Sequence, residues 1–98
     1  MIIRENRNGS ALNIELEGRL DTTTSPELEE ELKKILPELT ELTFDLSKLE
    51  YISSAGLRVL LSAQKIMSRQ GSMKVTNVNE TIMEIFEVTG FTDILAIG

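Results

Sequence analysis

Histidine and cysteine are both absent from the 98 residues of this chain, and their absence removes more chemistry than any other feature of the composition. Without histidine there is no Ser-His-Asp relay, no histidine-ligated zinc and no imidazole general base. Without cysteine there are no disulfides, no thiolate metal sites and no thiol nucleophile, so the redox compartment leaves no mark on the sequence. Tryptophan is missing too, and one tyrosine and three phenylalanines are all the aromatics available for stacking on bases. Positive charge is scarce: ten Lys and Arg against sixteen Asp and Glu leave a formal charge of -6, which repels a phosphate backbone. No nucleic-acid partner is expected. Long apolar runs are also lacking, and Arg4, Glu5, Arg7, Glu15 and Glu17 interrupt the first twenty residues. Neither a signal-peptide core nor membrane insertion is expected, and a cytoplasmic location is.

What is present reads as one domain over residues 1–98 with a single modest core. Leu12, Ile14 and Leu16 alternate with Asn13, Glu15 and Glu17, a period of two that marks a strand with one wet face. Leu42, Phe44 and Leu46 repeat the pattern, as do Met73 and Val75. A short opening strand near Ile2 to Arg7 is expected to hairpin through Asn8-Gly9, and Ile94 to Ile97 reads as a closing strand.

Three helical patterns lie between these strands. Thr24-Ser25-Pro26-Glu27 has the elements of a capping box, and Leu28, Leu32, Ile35 and Leu36 follow at helical spacing until Pro37 interrupts them. The second helix spans about Ser54 to Gln70, with Gly71 as its stop and Arg58, Ser62, Lys65 and Arg69 on one polar stripe. The third starts at Asn79, buries Ile82, Ile85 and Phe86, and stops at Gly90. Helices between successive strands require parallel, right-handed crossovers, and the alternating strands leave one sheet face polar. The expected fold is therefore α/β, a mostly parallel sheet of four to five strands in sequential order with three helices chiefly on one face.

The segment "YISSAG", residues 51–56, carries the functional question, because it sets two serines at the mouth of the second helix. Either Ser53 or Ser54 can cap that helix. The same position suits a phosphate, since free backbone N–H groups and the helix dipole favour an oxyanion there. A serine nucleophile is disfavoured: no Ser-Xaa-Xaa-Lys follows either serine, and no Gly-x-Ser-x-Gly elbow surrounds them. Phosphate-binding glycine loops and calcium-loop spacings are also missing, so no cofactor is expected. Tyr51 and Ile52 are expected to pack this segment onto the core, and Met67, Met73 and Met83 to serve ordinary packing. For Asp21 two readings stay open, a turn carboxylate ahead of Thr22 to Ser25 or part of a contact surface. Arg58, one turn beyond Ser54, could meet a phosphate or an acidic partner, or simply belong to a solvated face.

Three blocks, "EGRLDTTTSPELEEEL", "FDLSKLEYISSAGLRVLL" and "EIFEVTGFTDILAI", occur in an order and at spacings similar to those of STAS domains of the anti-sigma-factor antagonist kind. The resemblance covers essentially the whole chain. It implies a STAS-type domain that is a kinase substrate and binding protein, not an enzyme. Its implied partners are an anti-sigma factor with serine kinase activity, to which ATP and magnesium would belong, and a serine phosphatase. The family's phosphorylated serine falls on Ser54, and Ser53 occupies a place where many members have Asp. The partner surface implied comprises Asp21, Thr22, Ser53, Ser54, Gly56, Leu57 and Arg58. An alternative keeps the fold and changes the task, to a regulatory subunit of a membrane transporter ATPase or of another signalling complex, without a phosphate switch.

Overall fold

The computed structural model describes residues 1–98. Two strands open the chain, β1 (Ile2–Asn8) and β2 (Ala11–Leu20), paired antiparallel from Ile2↔Glu17 to Asn8↔Ala11. Their loop is Gly9-Ser10, one residue later than expected, because Asn8 remains in the ladder. A helix precedes each later strand: α1 (Ser25–Ile35) leads to β3 (Glu41–Ile52), and α2 (Ser54–Gln70) to β4 (Ser72–Thr76). The third helix, α3 (Glu80–Thr89), follows β4. β2, β3 and β4 run parallel, and the spatial order is β1-β2-β3-β4. This is the sequential order that one-sided helix packing requires.

The alternating positions explain the layering. Leu12, Ile14 and Leu16 of β2, Leu42, Phe44 and Leu46 of β3, and Met73 and Val75 of β4 are buried in one cluster of 23 residues. Leu28 and Leu32 of α1, Leu60 and Met67 of α2, and Ile82 and Phe86 of α3 complete the same cluster, while Ile85 is only partly buried. Truncating any of the larger members to Ala would cost about 2–5 kcal/mol. Across the sheet, Asn13 and Lys74 are exposed, and Arg4 reaches Glu15 at 2.9 Å and Glu17 at 2.7 Å. Lys48 stands 3.4 Å from Glu15 on that open face.

β3 extends six residues past Leu46, where the alternation stops. Its next buried residues, Leu49 and Ile52, follow at intervals of three, a spacing foreign to a flat strand. Two bulges absorb the mismatch: Glu15 pairs with Asp45 but Glu17 with Lys48, and Gly18 pairs with Leu49 but Arg19 with Tyr51. Each adds one residue to β3, so its apolar side chains stay on the helix side. Tyr51 corrects an expectation. It lies opposite Arg19 on the open face, with the guanidinium 4.5 Å from its ring centroid, and only Ile52 packs into the core.

The closing strand is reduced to a single parallel bridge, Val75↔Ile97. Phe91–Asp93 coils into a 3-10 turn immediately after α3, which leaves too few extended residues to form a ladder, though Leu95 still reaches the core. Pro37 acts as expected: α1 ends at Ile35 and a 3-10 turn takes Leu36–Glu38. Asn79 caps α3 by accepting from the N–H of Ile82 at 3.0 Å, and its Nδ2 donates to the Leu49 carbonyl at 2.7 Å. That second bond ties α3 to the bulged part of β3.

Candidate functional site

The β2–α1 turn and the β3–α2 junction leave the sheet side by side at the end where the parallel strands finish. Leu20 pairs with Ile52, and the Ser53 N–H donates to the Leu20 carbonyl at 2.9 Å. Asp21 and Ser53 therefore follow neighbouring strand ends, and one rim carries both halves of the expected site.

The two serines divide the roles between them. Ser53 has extended dihedrals, φ -95° and ψ 177°, and its Oγ accepts from the N–H of Gly56 at 3.4 Å. It is the cap of α2 and is half-buried. Ser54 is the first helical residue and is exposed. An anion on it would sit within the first turn of a 17-residue helix, where unpaired amides and the dipole stabilise negative charge by about 0.3–1 kcal/mol.

Beneath them lie Gly56 and Leu57, both expected on the contact surface and both buried in the free chain. A Cβ on Gly56 would stand 2.8 Å from side-chain carbons of both Ile52 and Leu20 and 2.9 Å from the Leu20 carbonyl oxygen. Glycine is what lets α2 start so close to the ends of β2 and β3. Leu57 anchors the same turn in the core at 6 % exposure.

Asp21 organises the neighbouring turn. Its Oδ1 accepts from the N–H groups of Thr23 at 3.0 Å and Thr24 at 3.1 Å, and its own N–H donates to the Thr24 hydroxyl at 2.9 Å. The Thr24 hydroxyl in turn donates to the Arg19 carbonyl at 2.7 Å. Turned back in this way, Thr24 makes no side-chain cap to α1, and the expected capping box does not form. The N–H of Thr24 above all, then that of Thr23, the Thr24 hydroxyl and the Arg19 guanidinium hold the Asp21 carboxyl below the usual aspartate range. Of the two readings open for Asp21, the turn is thus realised by Oδ1. Its Oδ2 faces Arg19 at 3.7 Å.

Thr22 and Arg58 are exposed on the same rim. A cleft of about 230 Å³ separates the first turns of α1 and α2, and Thr22, Ser25, Arg58 and Ser62 are among its lining residues. The Ser25 hydroxyl is buried without a hydrogen-bond partner. Sequence reading missed the Arg19–Tyr51 stack. No local pattern announces it, because only the bulged register sets these two residues opposite one another. No acidic cluster able to hold a metal ion forms, and no helix is long and apolar enough to cross a membrane.

The likeness of the chain to known proteins is extensive. The family model described as "Mlab, STAS domain" matches residues 3–96. The anti-sigma-B factor antagonist of Bacillus subtilis (strain 168) is 31% identical over 97 residues, covering 98% of this chain and 87% of that protein. The chain belongs to the STAS domain family, among the anti-sigma-factor antagonists. Two solved structures share the fold at 15% identity. The anti-sigma factor antagonist SpoIIAA in its unphosphorylated form superimposes with a TM-score of 0.85, over 99% of this chain and 88% of that one. The Bacillus cell fate determinant SpoIIAA in the phosphorylated form gives 0.77 over 99% and 91%. In this STAS domain the rim of Asp21, Thr22, Ser54 and Arg58 is held from below by Ser53, Gly56 and Leu57.

Proposed function

We propose that this STAS domain is a cytoplasmic, phosphorylation-switched binding protein and not an enzyme. Unphosphorylated, it docks on an anti-sigma factor with serine kinase activity through the rim around Asp21, Thr22, Ser54 and Arg58, and so frees a sigma factor. The kinase, with its own ATP and magnesium, transfers phosphate to Ser54; the complex then parts, and a serine phosphatase restores the acceptor. One observation carries this reading above the others: Ser54 is exposed at the first position of α2 while Ser53 holds the cap, so modification need not dismantle the helix.

The switch works at the interface. A phosphate adds about 1.5 to 2 negative charges and three acceptor oxygens at a helix end suited to hold them, so the domain keeps its fold. A docked partner must strip water from the same rim. A dianion left there without a matching cation costs several kcal/mol, roughly a hundredfold or more in affinity.

Calorimetry of the two forms with the anti-sigma factor tests this directly, supported by mapping of the phosphate after incubation with kinase and ATP. Phosphate on Ser54, loss of binding on modification, and acceptance retained by Ser53→Ala but not Ser54→Ala are expected. Equal affinity of both forms, or phosphate on Ser53, would refute the proposal.

A further inference from the structure

We propose that the free edge of β1 is an interaction surface for a second copy of this chain, and that the two β1 strands pair antiparallel about a two-fold axis at Asn6 to give one continuous sheet. β1 is the end strand of the sheet, and its far side faces no other strand. Six of its seven residues are exposed, and its ladder with β2 runs without a bulge. It contains no proline. An edge this regular keeps a row of backbone groups open to pairing.

Hydrogen-bond phase fixes which groups these are. β2 turns the carbonyls of Ser10 and Leu20 towards the β3 side, so its odd-numbered residues Ala11, Asn13, Glu15 and Glu17 bond to β1. Their partners Asn8, Asn6, Arg4 and Ile2 are thereby used. Ile3, Glu5 and Arg7 point N–H and C=O outwards, and no backbone bond outside the helices and ladders involves them.

A second copy must meet them with its own outward residues, so an odd-numbered residue can stand opposite only another odd-numbered one. Charge then chooses the register. An axis at Arg4, Glu5 or Arg7 sets that residue against its own like charge, and an axis further out leaves little overlap. The axis at Asn6 sets Glu5 opposite Arg7 of the second copy and Arg7 opposite its Glu5. Both residues are on the helix side of the sheet, since their β2 neighbours Ile14 and Leu12 belong to the core. Each such pair exchanges both backbone bonds and joins opposite charges across the strands, and both effects stabilise an antiparallel ladder.

Glu5 has a use for that cation. Burial first, then the hydrogen-bonded Glu31 carboxyl of α1, push the Glu5 carboxyl above the ordinary glutamate range, while Arg7 of its own chain pulls the other way. Arg7 gives Nε to the Gly9 carbonyl at 2.9 Å and Nη1 to Glu38 at 3.1 Å, so Nη2 stays available for Glu5 of the second copy. The pairing runs along the side of the sheet, whereas the Ser54 rim lies where β2 and β3 finish, so the two surfaces are separate. An overlap confined to Arg4–Asn8 falls below the roughly 1,000 Å² of a lasting interface, and the expected Kd is about 0.1 to 0.5 mM.

Sedimentation equilibrium of the full, untagged chain at physiological salt tests this, over about 20 µM to 1 mM so that the expected Kd is bracketed. The wild type should pass from monomer to dimer, and dilution should shift the amide NMR signals of Ile3, Glu5 and Arg7 above all others. Glu5→Arg and Arg7→Glu each put like charges into both pairs and should each weaken association about tenfold or more, with circular dichroism reporting the retained fold. Mixed in equal amounts, the two variants should associate again, because each supplies the charge that the other lacks. Loss of folding cannot imitate that rescue. A wild type that stays monomeric throughout the range, shifts centred on another face, or a mixture that associates no better than its separate components overturns the proposal. No kinase or ATP enters the measurement, so its failure leaves the Ser54 switch standing and the switch's failure leaves the edge pairing standing.

Discussion

At the end of the sheet where the parallel strands begin, backbone is stitched to backbone. The Ser10 carbonyl accepts from the N–H groups of Thr40 at 2.8 Å and Glu41 at 3.3 Å, and the Thr40 carbonyl accepts from Ser72 at 2.9 Å. Gln70 Nε2 closes the same end by donating to the carbonyls of Leu36 and Leu39. At the end where the strands finish, one backbone bond joins β2 and β3 beyond the ladder, and side chains take over: the Asp21 carboxylate, the Ser53 hydroxyl and the Arg19–Tyr51 stack. The cause is topological. Each crossover helix begins where its preceding strand ends, so the unpaired amides of α1 and α2 collect at that rim. One end is sealed, and the other keeps polar groups that a partner or a phosphate can use.

Substitution at Gly71 attacks the sealed end and carries the largest expected effect. A Cβ there would lie 1.8 Å from the Thr40 carbonyl oxygen, and backbone cannot yield as a side-chain tip does. Gly71→Ala should cost about 3 kcal/mol, at the upper end of overpacking, read as a lowered urea midpoint. A variant as stable as the wild type would show that this end is not closed by backbone contact.

Gly56→Ala probes the opposite rim in the same way, but two of its three close contacts are side-chain carbons and none is nearer than 2.8 Å, so about 2 kcal/mol is expected. A cost exceeding that of Gly71→Ala would invert the comparison. Within the rim, Ser53→Ala should lose about 1 kcal/mol, the worth of an N-cap, whereas Ser54→Ala should stay within about 0.5 kcal/mol of the wild type. Equal costs would mean that the two serines share the cap.

The smallest effect is a pH dependence. Because the Asp21 carboxyl titrates below its ordinary value, its stabilising contribution is complete above the unfolded-chain value of about 3.9 and is lost as pH falls through the lower folded value. Unfolding midpoints followed from pH 6 downwards should therefore fall more steeply for the wild type than for Asp21→Asn, and the two curves should converge in acid. Parallel curves would remove Asp21 from the organisation of the turn.

Much of this was legible along the chain. Strict alternation in Leu12 to Glu17 and Leu42 to Leu46 placed two parallel strands and told which face was wet, because neighbouring side chains of a strand must point to opposite sides. Ser53 or Ser54 before an apolar helical run, and Gly90 after one, marked helix ends by local stereochemistry, whereas Gly71, with φ 176°, owes its lack of a side chain to the Thr40 backbone against it. Other features depended on partners distant in sequence. Leu46, Leu49 and Ile52 look aperiodic until β2 supplies a ladder against which two bulges can form. The same bulges turned Tyr51 outward onto Arg19, and the meeting of β2 with β3 decided which serine was exposed and that Gly56 was buried. Periodicity and capping act over a few residues and can be read in order. Register, close approach and exposure are set by which segments compete for the same space, and that is resolved only when the chain is folded.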